Sequence, residues 1–160
     1  MLLGPTGSGK SHLGRLLHAR GLAHFEELEP LLMTQFGTGA DFAARKAEAL
    51  EFIEASYRRQ LGQSTLPVAL QATGLSDRAI QERIGRDFRL LLARINTPRQ
   101  LCAARAQSRP AGQNLNNDPE YAASFHDYWQ ANVAPGWNFA LELDGTDSEA
   151  ALTLIGTALS

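Results

Sequence analysis

Eight residues near the start of the chain, Gly4-Pro5-Thr6-Gly7-Ser8-Gly9-Lys10-Ser11, constrain the fold more than anything else in it. Glycines at 4, 7 and 9 let the backbone wind tightly enough to point its N–H groups at one centre, which makes an anion nest. Met1-Leu2-Leu3 leads in as a short strand, and Leu13, Leu16 and Leu17 mark one face of a helix leading out. The nest therefore opens on a helix N-terminus, whose partial positive charge adds to the attraction for phosphate. This is the strand–loop–helix setting in which G-x-x-x-x-G-K-[ST] cradles a polyphosphate. The pattern predicts nucleotide contacts from Gly4, Pro5, Thr6, Gly7, Ser8, Gly9, Lys10, Ser11 and His12. Lys10 would reach the β- and γ-phosphates of ATP, and the Ser11 hydroxyl would ligate Mg²⁺.

Composition narrows the setting. At 160 residues the chain has the length of one domain, and 44% hydrophobic residues suffice for a core. Fifteen basic against seventeen acidic side chains leave a net charge of −2, which argues against a bulk nucleic-acid or membrane-surface binder. Only Lys10 and Lys46 are lysines; the other basic residues are arginines. The single cysteine, Cys102, excludes an internal disulfide and a multi-thiolate metal site, and suits a reducing cytoplasm. No apolar run approaches the roughly 20 residues that span a bilayer. With the glycine-rich loop so close to the start, no signal peptide is expected.

Apolar runs alternate with helical patterns along the rest of the chain, which predicts an α/β domain with a mostly parallel sheet. Strands are expected at 22–26, at Val68-Ala69-Leu70, at Leu90 to Ile95 and at Phe139 to Leu143. Helices are expected at 29–36, from Asp41 as N-cap to about Leu61, from Ser76 to about Arg86, from Pro98 onward, around Tyr121 to Trp129, and after Thr146-Asp147-Ser148-Glu149. The aromatic stripe Tyr121, Phe125, Tyr128 and Trp129 reads as core, and Cys102 as buried. Between Arg109 and Pro119 the chain turns polar and irregular, as a loop that closes over a site would.

A phosphate-transferring site also needs an acid near the metal. The third strand ends in neutral Gln71, so the candidates are Glu27 and Glu29, which project to the same side if the chain leaves the second strand extended. Glu27 is expected to serve the metal or act as base, and Glu29 to orient the acceptor. Arg105 and Arg109 are four apart and share a helix face, from which they can contact the nucleotide and stabilise the migrating phosphoryl charge.

Together these residues resemble the small P-loop kinases of the nucleoside-monophosphate kinase type, and most closely the shikimate and gluconate kinase group. Glu27-Leu28-Glu29 stands where that group carries an Asp-x-Asp pair. Thr73-Gly74-Leu75-Ser76-Asp77 occupies the loop that meets the acceptor, Arg105 and Arg109-Pro110 match the paired arginines and lid opening, and Asp144-Gly145-Thr146 lies where adenine is contacted. The resemblance implies a three-layer P-loop NTPase fold: a five-stranded parallel sheet of order 2-3-1-4-5, helices on both faces, and a lid at about 109–119. It also implies acceptor contacts from Glu29, Arg45, Thr73 and Gly74. The shikimate-binding set is incomplete, since Ala72-Thr73-Gly74 replaces a triple glycine and Tyr121 is followed by Ala122 rather than arginine. The expected function is ATP-dependent phosphoryl transfer to the hydroxyl or phosphate of a small molecule other than shikimate. Lys10, Glu27 and Arg109 would be catalytic, with Mg²⁺ on Ser11 and Glu27. Such an enzyme would be cytoplasmic and a monomer or small homo-oligomer, with no nucleic-acid or membrane partner. The alternative is a nucleotide-binding regulatory module or an NTPase without an acceptor.

Overall fold

The computed structural model describes residues 1–76, 78–109 and 118–160. Four parallel strands form the sheet: β1 (Leu2–Leu3), β2 (Gln71–Ala72), β3 (Ala93–Asn96) and β4 (Leu141–Asp144), in the order β2-β1-β3-β4. Helices α1 (Lys10–Ala19), α2 (Glu29–Phe36), α3 (Gly39–Ala44) and α4 (Lys46–Gln63) separate β1 from β2. Helix α5 (Arg78–Asp87) precedes β3, α6 (Arg99–Gln107) and α7 (Pro119–Tyr128) follow it, and α8 (Ser148–Leu159) comes after β4. Trp129–Val133 continues α7 as a π-turn and Ala134–Gly136 as a 3₁₀ turn.

Alternation along the strands divides the core in two. Leu2, Ala69, Ala93, Ile95 and Leu143 pack on Leu13 and Leu17 of α1 and on Ala151, Leu152 and Ile155 of α8. Leu3, Leu70 and Ala72 point the other way, onto Leu32 and Phe36 of α2, Tyr57 of α4, Ile80 and Ile84 of α5, and Trp129. Because successive strand side chains face opposite sides, two neighbouring leucines at the start of the chain serve two different helical layers. The α/β class, the parallel sheet and the two helical faces are as expected.

The sheet differs from expectation at its edge. The strand expected at 22–26 is reduced to one parallel bridge between His24 and Val68, so the sheet has four strands rather than five. The Leu22 amide, which would face the neighbouring strand, is spent on the Leu17 carbonyl. His24 donates to Pro67, which has no N–H to contribute to the ladder. The helix expected from Asp41 to Leu61 is two helices, broken at Arg45, with Thr38 rather than Asp41 at the first cap position. The last helix is capped by Asp147, which accepts from the Ala150 amide, one residue later than the Thr146 reading. In the aromatic stripe Trp129 is core and Phe125 packs half-buried against that core, whereas Tyr121 and Tyr128 are 44% and 48% exposed. Of the lid expected at 109–119, residues 110–117 lie outside the described residues, as does Asp77.

Candidate functional site

The phosphate loop follows β1, the strand at which the sheet order reverses, with β2 on one side and β3 on the other. In open α/β sheets ligands bind beyond the strand tips at such a switch. Gly7 and Gly9 take the left-handed conformation, φ 80° and 100°. Gly7 passes so close to α6 that a Cβ there would lie 2.3 Å from the Cys102 carbonyl oxygen. Gly9 is the N-cap of α1 and offers no side-chain cap, and the first turn holds no acid, so the helix N-terminus presents its partial positive charge at the loop. Thr97 braces the cradle from β3's end, its hydroxyl donating to the Ser8 carbonyl at 2.8 Å. A polyphosphate fits this cradle on charge and on shape.

Lys10 folds back over the loop, and its Nζ donates to the Gly4 and Pro5 carbonyls at 2.8 Å each. Ser11 Oγ donates to Oε1 of Gln71 at 2.8 Å, while the Gln71 backbone carbonyl accepts from the Tyr57 hydroxyl at 2.6 Å. A neutral amide thus occupies the position beside the hydroxyl expected to ligate the metal. Sequence reasoning noted Gln71 as neutral but missed its bond to Ser11 and the part of Tyr57; no local pattern links positions 11, 57 and 71. Among the described residues no group of three His, Cys, Asp or Glu side chains could hold a metal ion by itself. Ser11 fits a Mg²⁺ that takes its other ligands from phosphates and water.

Two clefts meet at this loop. The outer one, about 1050 Å³, runs from Gly7, Ser8, Gly9 and His12 past Arg105 and Arg109 to Asp144 and Gly145. The inner one, about 330 Å³, lies against Lys10, Ser11 and Gln71 and is walled by Leu28, Phe42, Leu50, Ile53, Tyr57 and Phe125. Gly7, Gly9, Ser11 and Arg109 line both.

The two acids are not on one side. Leu28 has helical dihedrals, φ −86° and ψ −21°, and α2 starts at Glu29, so the two-residue alternation of an extended chain does not apply. Glu27 lines the outer cleft and pairs with Arg15 at 3.4 Å, whereas Glu29 lines the inner cleft. Arg105 donates to the Gly145 carbonyl at 3.0 Å and to the Gly7 and Ser8 carbonyls at 3.5 and 3.4 Å, tying the loop after β4 to the phosphate loop. Thr73 lines the inner cleft, and its carbonyl accepts from Trp129 Nε1; Gly74, φ 77°, accepts from Trp137 Nε1. Arg45 lines neither cleft: it donates to Glu48 and to the Gln35 carbonyl and lies over the Phe36 ring. Lys46, its neighbour, lines the inner cleft instead and was missed. Burial raises the Cys102 thiol above its ordinary value, against the pull of Lys10, Arg105 and Arg109, so the thiol stays protonated. Those three cations surround the loop with a positive field.

No family model matches the chain, and no curated protein matches its sequence. Its fold does have relatives among solved structures. It is similar to a deoxyadenosine kinase from M. mycoides solved with bound dATP, with a TM-score of 0.56 over 99% of both chains at 14% identity. That likeness shows the fold alone, an α/β arrangement of helices on a parallel sheet that the chain shares with this kinase.

Proposed function

We propose that the protein transfers the γ-phosphoryl group of ATP to a hydroxyl of a small molecule. One observation carries this reading: a cleft large enough for a nucleotide and a smaller apolar cleft share the phosphate loop, with Gly7, Gly9, Ser11 and Arg109 in both. A donor on one side and an acceptor on the other would meet over Lys10 and Ser11, which is the positioning that phosphoryl transfer requires.

ATP would lie in the outer cleft, its base toward Asp144 and Gly145 and its phosphates on the loop amides. Ser11 would hold Mg²⁺, which supplies neutralisation of phosphate charge. Glu29, in the inner cleft, takes the proton of the acceptor hydroxyl as its oxygen bonds to the γ-phosphorus and the bond to the β-phosphate oxygen breaks. Lys10 and Arg109 stabilise the charge on the phosphoryl group in passage. Glu27 stays on the nucleotide side with Arg15. A nucleoside is one candidate acceptor, given what the structural neighbour phosphorylates.

The test is a labelled-ATP screen against nucleosides and hydroxylated metabolites. Lys10→Ala should abolish labelled product, and Glu29→Gln should cut kcat by about 10²- to 10⁴-fold, well beyond Glu27→Gln. Transfer that survives Lys10→Ala at the original rate sinks the assignment. A second reading, a nucleotide-binding switch without transfer, is favoured by the neutral Gln71 on Ser11. It predicts saturable Mg-ATP binding and no labelled product from any acceptor.

A further inference from the structure

Alternation along the chain entering β2 gives position 71 to the α1 side. Leu70 and Ala72 face one core cluster and Ala69 the other, so Gln71 shares a side with Ala69, Leu13 and Leu17. An apolar residue would serve packing there, and a carboxylate would serve a metal. The chain places an amide, and of these choices only an amide both accepts and donates hydrogen bonds.

Ser11 decides which way that amide turns. A hydroxyl that ligates a metal through its oxygen must give its proton to an acceptor, and Oε1 of Gln71 receives it at 2.8 Å. Nε2 then stands one amide width away. It makes no hydrogen bond with a described residue, and it is not sealed in the core. Of the two clefts Gln71 lines only the inner one, beside Lys10 and Ser11. The Tyr57 hydroxyl holds the Gln71 carbonyl at 2.6 Å, which pins the backbone that carries this arm. Swinging the amide away would break its bond to Ser11.

What such a donor meets follows from the charge in transit. A phosphoryl group being transferred spreads its negative charge over three equatorial oxygens. Lys10 addresses it from the phosphate loop, and Gln71 faces the same point from the tip of β2, the strand that flanks the loop. A donor on the attacking hydroxyl oxygen would blunt the nucleophile. A donor on an equatorial oxygen instead strengthens as charge gathers there.

We propose that Gln71 is a catalytic residue: Oε1 holds the Ser11 proton while Nε2 donates to an equatorial oxygen of the phosphoryl group in passage. The inference rests on the phosphoryl-transfer reading and gives the amide, where an acid was expected, a part in it. As the acceptor oxygen bonds to the γ-phosphorus, its proton goes to Glu29 and the bond to the β-phosphate oxygen breaks. The amide keeps both of its protons throughout. A carboxylate at 71 would still accept from Ser11, but it would set a negative charge against the phosphoryl oxygens.

The test uses the full chain, labelled with ¹⁵N and loaded with Mg-ADP and aluminium fluoride. The fluorines stand in for the equatorial oxygens, water takes the acceptor's place, and fluorine spectra report that the complex has formed. The Gln71 side-chain amide pair is assigned by its loss in Gln71→Met. With Mg-ADP alone it should stay where it is; when fluoride joins, one of its protons should move downfield and exchange with water more slowly. For an acceptor found in the labelled-ATP screen, Gln71→Glu should cut kcat by about 10²-fold or more, while Mg-ADP binds within about threefold of the parent or more tightly. A bound fluoride signal that leaves the amide pair unmoved overturns the proposal. So does a Gln71→Glu enzyme that keeps the parent rate, since residue 71 would then serve the metal. A chain that binds no fluoride at saturating Mg-ADP strikes the phosphoryl-transfer reading, and this one with it.

Discussion

At the residue scale, two glycines separate structural need from tolerance. Gly7 combines a φ of 80° with a Cβ position 2.3 Å from a backbone oxygen of α6, so neither torsion nor space admits a side chain. Gly7→Ala should cost about 1–3 kcal/mol in urea unfolding and weaken Mg-ATP binding, because relief of the clash moves the loop off Cys102. Gly62 lies in the last turn of α4 with nothing within 4 Å of its would-be Cβ. Gly62→Ala should raise stability by about 0.5–1 kcal/mol and leave nucleotide affinity unchanged. Equal losses at both positions would mean that the loop geometry is not the constraint. The motif announced Gly7's importance. That its limit is a carbonyl of a helix about a hundred residues later was legible only in the folded chain.

At the element scale, the site depends on loops held together by few bonds. Arg105 on α6 bridges the phosphate loop and the loop after β4, two segments that flank the outer cleft and have no strand pairing with each other. Arg105→Gln should therefore raise KM for ATP about tenfold while KM for the acceptor holds, because the inner cleft does not include Arg105. A matching rise in both constants would place Arg105 elsewhere in the mechanism. The i, i+4 relation of Arg105 and Arg109 was readable from spacing, and both line the outer cleft. The pairing of Glu27 with Glu29 was not, because it assumed a strand exit where the chain already enters α2. Helix onset changes the rotation per residue from about 180° to about 100° and sends neighbours to different clefts.

For the whole molecule, a chain whose first residue is Met1 would take a pH dependence from the buried start of β1. The Met1 amine is enclosed and donates to the Leu91 carbonyl at 2.5 Å, and burial lowers its pKa from 8.0 to about 5. Between pH 5 and 8 the unfolded chain holds a proton there that the folded chain has given up. Unfolding free energy should then rise with pH across that window by about 1.4 kcal/mol per pH unit, and level off above 8. Urea titrations of a chain beginning at Met1 test this beside one with residues appended upstream, which turns the amine into an amide and should flatten the slope. A slope that persists in the extended chain would assign the effect to other groups.

The alternating strands, the phosphate loop and the two-sided core were legible because they are local: periods of two and of 3.6 residues and a fixed run of glycines follow from steric rules within a few positions. From residues 4–11 alone, the chain was committed to a nest at a helix N-terminus. Which acid faces which cleft, the reduction of the fifth strand to a single bridge, and the presence of Lys46 rather than Arg45 on the inner cleft belong to the tertiary structure. Each depends on where a distant segment ends up, and nothing in a short window of sequence encodes that distance.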